Sequence, residues 1–139
     1  MILLTEIPGV DGELSKSIQL VLQALAEAWA LELRRRAERG APLPPLYRSG
    51  VVYRPEPETQ RCEDWAPPPV VLERGWGDCD DLVMWRLAEL LAAGERAHVQ
   101  VARRLDETDP RRVRGTGAYH VLVRRESGAV EDPSKLLGG

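Results

Sequence analysis

Proline restricts this chain more than any other residue. Eight of its 11 prolines, Pro42, Pro44, Pro45, Pro55, Pro57, Pro67, Pro68 and Pro69, fall between residues 41 and 69. Proline has no N–H to donate and is excluded from helix interiors and central strands. The segment therefore predicts few long regular elements, with Val51-Val52-Tyr53 as a brief strand. A stretch this long with little structure is uncommon in a compact chain unless it covers a site. Stiffened by its rings, it reads as a fixed cover over residues 41–75.

The sequence on either side of this cover has helical periodicity. Leu14, Ile18, Val21, Leu22, Leu25, Trp29 and Leu33 recur every three or four residues, which predicts one amphipathic helix over 13–39. Arginines at 34, 35, 36 and 39 suit a helix C-terminus, and Gly40 stops it. A second helix is predicted from Asp78 or Cys79 to about Ala93, with Leu82, Val83, Trp85, Leu87, Leu90 and Leu91 as its apolar face. Asp78 suits its N-cap, Asp80 and Asp81 suit its first turn, and Gly94 ends it. Alternating residues then predict strands at 97–103, 119–125 and 129–132. Glu126-Ser127-Gly128 reads as a hairpin turn, Arg104–Gly117 as a polar loop, and Leu136–Gly139 as a flexible tail. The economical assembly is α+β, an antiparallel sheet backed by the second helix.

Composition narrows the classes of function. The chain has 139 residues, about one domain. Apolar residues make up 43% and charged residues 29%, as in ordinary globular chains, and no window is apolar for the ~20 residues of a membrane span. Met1–Glu6 lacks a basic leader and a long apolar core, so no secretory signal is expected. A net charge of −3 argues against a nucleic-acid partner, and arginines in the 103–114 loop read as solvated. Two cysteines are too few for a disulfide scaffold. Two cysteines and two histidines without paired spacing do not make a metal site. Asp78, Asp80 and Asp81 do not match a calcium loop.

The chemistry centres on Cys79. A helix start favours a thiolate, and a thiolate is a nucleophile. His120 lies on a predicted strand 41 residues later, and Asp132 on the next strand, where a hairpin can pair the two. Cys79, His120 and Asp132 thus suit a nucleophile, an imidazole base and an orienting carboxylate. Asp78, Asp80 and Asp81 would raise the thiol pKa. The helix terminus and a contacting imidazolium outweigh them if these carboxylates are solvated. Cys62 sits in the cover and reads as a bystander, and His98 as structural.

Trp76-Gly77-Asp78-Cys79-Asp80-Asp81-Leu82, followed by Leu90-Leu91-Ala92-Ala93-Gly94, resembles the nucleophile helix of transglutaminase-like cysteine hydrolases. Glu63-Asp64-Trp65-Ala66-Pro67 and Val71-Leu72-Glu73-Arg74-Gly75 resemble the lead-in of their bacterial and phage branch. Tyr119-His120-Val121-Leu122-Val123 and Glu131-Asp132-Pro133-Ser134 resemble its His and Asp-Pro strands. The likeness spans roughly 63–135. It implies a papain-like core at 76–135 within a single 1–139 domain. It also implies a Cys79–His120–Asp132 triad that needs no cofactor or metal, acting as a cysteine peptidase, amidase or acyltransferase. Trp65, Trp76 and Gln60 are candidates for the oxyanion site and cleft wall. The implied partner is a protein or peptide, such as a cell-wall peptide or virion protein, with no membrane. The implied location is the host cytoplasm, or the virion if the chain is phage-encoded. The alternative is an inactive or non-enzymatic phage-type assembly protein of the same fold.

Overall fold

A computed structural model of the chain describes residues 12–55, 65–103 and 119–138. Helix α1 spans Gly12–Glu38, with Arg35 and Arg36 in its last turn and Gly40 beyond it at φ 74°. Its buried face is broader than the predicted stripe. Ile18, Leu22, Ala26 and Ala30 are buried, but so are Gln19 and Gln23, while Val21 is exposed. The cause is what α1 covers. It packs on a second helix and also on a strand, and strand backbone needs polar partners. The Gln23 side chain supplies them: its Oε1 accepts from the Val99 N–H at 3.1 Å and its Nε2 donates to the Ala97 carbonyl at 3.4 Å.

The proline-rich segment holds only short elements, a 3-10 turn at Leu46–Arg48 and, at its end, helix α2 (Pro68–Arg74). The three consecutive prolines at 67–69 sit at the N-cap and first turn of α2, where a helix leaves its N–H groups unpaired, so proline costs nothing there. Gly75, at φ 85°, ends it. Strand β1 (Val52–Tyr53) pairs in parallel with β2 (Trp76–Gly77).

Helix α3 (Cys79–Ala92) is the spine of the molecule. Val83, Met84, Leu87 and Leu90 join Ile18, Leu22 and Ala26 of α1 and four sheet valines in one core. Leu82 and Trp85 join Leu46, Val51, Ala66 and Val71 in another. Arg34 of α1 donates to the Leu91 and Ala92 carbonyls at 2.9 and 3.0 Å, completing the α3 C-terminus.

Strands β3 (His98–Arg103), β4 (Tyr119–Arg124) and β5 (Val130–Glu131) form an antiparallel sheet in that order. Val99 pairs with Val123 and Val101 with Val121, and all four are buried against the helices. The architecture is α+β, with the sheet backed by α3 as expected. Helix α4 (Pro133–Leu136) takes in Leu136, the first residue of the predicted flexible tail. Leu137 packs on the second core, and its carbonyl accepts from the Tyr53 N–H at 3.0 Å. Among the described residues no helix is long and apolar enough to cross a membrane.

The Gln23 contact gives a test. Gln23→Leu keeps the volume but leaves the Val99 N–H and Ala97 carbonyl buried and unpaired. A loss of about 1–3 kcal/mol is expected from urea unfolding.

Candidate active site

The start of α3 is set by reciprocal hydrogen bonds. The Asp78 side chain accepts from the Asp81 N–H at 3.0 Å, and the Asp81 side chain accepts from the Asp78 N–H at 3.2 Å. This is a capping box, with a carboxylate at each position. It makes Cys79 the first residue of the helix, a half-buried thiol in no disulfide. Gly77 leaves little room for a side chain just upstream. A Cβ there would approach Leu82 Cδ2 to 3.0 Å and Asp81 Cβ to 3.2 Å.

The acidic residues around Cys79 are not the solvated neighbours anticipated. Asp78, Asp80 and Asp81 are 7%, 4% and 0% exposed. Asp81 accepts from the Ala66 N–H at 2.8 Å and pairs with Arg74 Nη2 at 2.7 Å. Burial raises its pKa, while the Ala66 and Asp78 hydrogen bonds and Arg74 pull it back. Asp80 accepts from the Trp65 indole N–H at 3.3 Å. Asp81 is thus met by protein donors rather than by water, and burial still holds its pKa above the ordinary value.

His120 lies on β4, and its Nε2 is 2.9 Å from Asp132 Oδ2. Asp132 is not within a strand, as predicted, but just after β5, where it is the N-cap of α4. Its Oδ1 accepts from the Lys135 N–H at 3.3 Å. The two oxygens thus serve different partners. A neutral imidazole donating to this carboxylate would do so from Nε2 and leave Nδ1 as its acceptor nitrogen.

Two ion pairs fix how α3 runs along β4. Arg86 of α3 binds Glu131, which faces Val123 across the β4–β5 ladder. Glu95, beyond the α3 C-terminus, binds Arg125 at the end of β4 at 2.6 Å. Helix and strand therefore point the same way. From Arg86 back to Cys79 is ~10 Å of helix at ~1.5 Å per residue. From Val123 back to His120 is ~10 Å of strand at ~3.4 Å per residue. Cys79 and His120 thus stand at the same end of the fold. Direct contact is shown between the His120 imidazole and the Asp132 carboxylate.

The remaining candidates separate. Trp65 packs on the core edge with Cys79, and its indole N–H is engaged by Asp80. Trp76 lies on β2, stacked by Arg74 at 3.7 Å with Arg54 at 5.7 Å from its centroid. Gln60, Cys62 and the Arg104–Gly117 loop lie outside the described residues. His98 Nε2 is buried, and burial together with Arg124 holds the imidazole pKa below its ordinary value, as suits a structural residue. Among the described residues no cluster of side chains could hold a metal. A cavity of about 290 Å³, lined by Leu33, Leu43, Trp85 and Ala92 among others, lies along the C-terminal half of α3, away from the thiol.

Sequence reasoning missed Glu131. Its Oε2 accepts from Arg86 Nε at 2.8 Å and from the Tyr47 hydroxyl at 2.9 Å. Its Oε1 accepts from Arg86 Nη2 at 3.1 Å and from Arg125 Nη1 at 2.9 Å. The Arg86 bond is the main reason its pKa falls to about 2 from 4.5. Burial, and then Glu131 itself, drives the Tyr47 phenol well above its ordinary value. The signal available was its place opposite Val123, which turns a charged side chain towards the helix.

No family model matches the sequence, and neither a curated protein nor a solved structure matches the chain.

Two outcomes follow from the charges. Asp81→Asn removes the charge that pairs with Arg74 and weakens the bonds from the Asp78 and Ala66 N–H groups, and should cost about 1–3 kcal/mol in urea unfolding. Glu131 is depressed in the folded state, so its stabilisation is complete above pH 4.5 and is lost as pH falls through about 2. Glu131→Gln should therefore show a shallower loss of stability than the parent across that window, measured by thermal melts at fixed pH steps.

Proposed function

We propose that this chain is a transglutaminase-like cysteine hydrolase with a papain-like core, acting on amide or peptide bonds. The observation that carries the reading is the 2.9 Å bond between His120 and Asp132, with a capped helix setting Cys79 at the same end of the fold. In this reading His120 Nδ1 takes the Cys79 proton. The thiolate attacks the acyl carbon, and the oxyanion leans on backbone N–H groups at the α3 start. The C–N bond then breaks, and the amine leaves with the proton carried by His120. Water activated by the same imidazole releases the acyl group and restores the thiol. An amine in place of water would give transamidation.

Asp132 holds the imidazole in the tautomer that this sequence of steps requires. General acid–base placement of this kind contributes roughly 10²–10⁴ in rate. In this reading the protein works in a host cytoplasm, where thiols stay reduced, or is carried in a virion. Its substrate would be a protein or peptide, including cell-wall peptides and virion proteins.

The test is thiol reactivity followed by turnover. Iodoacetamide should label Cys79 at neutral pH faster than it labels a small free thiol. Cys79→Ala should abolish that labelling and all cleavage of a peptide library. Fast labelling at Cys62 instead would sink the assignment. Labelling of Cys79 at the rate of an ordinary thiol would point to a non-enzymatic assembly protein.

A further inference from the structure

We propose that Glu131 is a positioning residue, whose bond to Arg86 sets where Asp132 and His120 stand relative to Cys79. The inference rests on the catalytic reading above. Arg86 lies seven residues after Cys79, two helical turns along the same face of α3. Glu131 immediately precedes Asp132. The two ends of the triad are therefore joined through one ion pair, with bonds of 2.8 and 3.1 Å. A two-bond fork of this kind fixes direction as well as distance.

Glu131 is held on both oxygens. Each accepts two hydrogen bonds, and the donors come from three places: Arg86 of α3, Arg125 after β4, and Tyr47 of the 3-10 turn. That fills the roughly four acceptor sites of a carboxylate. Strand β5 cannot do this work alone. It has two residues, paired to Val123 and Arg124 of β4, and the chain leaves the ladder at Asp132. Beyond the ladder Asp132 is held at the start of α4, where its Oδ1 accepts from the Lys135 N–H at 3.3 Å and its carbonyl from the Leu136 N–H at 3.1 Å. Helix α4 also packs on α3, and Glu131 adds to that apolar contact a directional link between the nucleophile helix and the residue before Asp132.

The experiment compares Glu131→Gln, Arg86→Lys and Leu90→Ala in the full chain. Leu90→Ala truncates the core near the other end of α3 and serves as the control for lost stability. Two properties are read: the pH–rate profile of iodoacetamide alkylation at Cys79, and the NMR signal of the His120 Nε2 proton bound to Asp132. With only two histidines in the chain, that signal is readily assigned. Glu131→Gln should slow alkylation at neutral pH about tenfold or more, as small misplacements of reacting groups do, and should weaken the bound-proton signal. Arg86→Lys, which keeps charge but loses the fork, should show a smaller loss of the same kind. Leu90→Ala should lower stability and leave both readouts unchanged. A parental profile and proton signal in Glu131→Gln would overturn the proposal. So would equal losses in Leu90→Ala. If Cys79 of the parent reacts only as fast as an ordinary thiol, the catalytic reading fails, and the positioning role fails with it.

Discussion

The site depends on one buried carboxylate. Asp81 is 0% exposed, and three parts of the chain converge on it: the Asp78 N–H before α3, the Ala66 N–H before α2, and the Arg74 guanidinium at the end of α2. An ion in the interior is costly unless each of its oxygens is bonded and its charge is matched. That requirement fixes where α2 ends, where α3 begins and how the chain approaches. Cys79 stands two residues away in the same turn, so its place is a consequence of how Asp81 is satisfied. Gly77 belongs to the same constraint, because a side chain there would press on Asp81 and Leu82.

A second carboxylate does for the far side what Asp81 does for the near side. Glu131 joins β5 to the middle of α3, while Asp81 joins α2 to its start. The helix between them is buried against both cores, and Leu82, Val83, Trp85, Leu87 and Ala88 have no exposed surface at all. Apolar packing of this kind gives cohesion without direction. The two arginine pairs supply direction, because guanidinium–carboxylate bonding is geometrically specific. Arg74 and Arg86 therefore act as orienting bolts on a helix that hydrophobic burial holds in place.

Much of this was legible in the sequence. The two helices, the three strands of the sheet and the Cys79 helix start follow from periodicity and from Asp78 as a cap. His120 and Asp132 were paired from chain order, and they meet at 2.9 Å. What escaped depends on long-range contact. Gln19 and Gln23 are polar residues on a buried face, and only the presence of a strand edge beside α1 explains Gln23. Three successive prolines argued against structure, yet at a helix start they are harmless, and α2 forms. Leu137 looked like tail, but Tyr53 offers it an N–H and the second core a place to pack. Glu131 could be placed on a face by alternation, but its three partners are separated from it by 6, 45 and 84 residues, beyond any local pattern.

The burial of the acidic turn also changes the electrostatic argument for the thiol. Solvated carboxylates beside Cys79 would act weakly through water, and a contacting imidazolium could outweigh them on distance alone. Buried carboxylates act more strongly, since little solvent screens them. Their effect is limited here by their partners. Asp81 faces the Arg74 cation and two backbone donors, and Asp80 faces the Trp65 indole. A carboxylate matched by a cation at 2.7 Å looks nearly neutral from a few ångströms further away. Arg74 thus makes the buried cap tolerable, because it gives Asp81 a cation at 2.7 Å against the burial that pushes its carboxyl up.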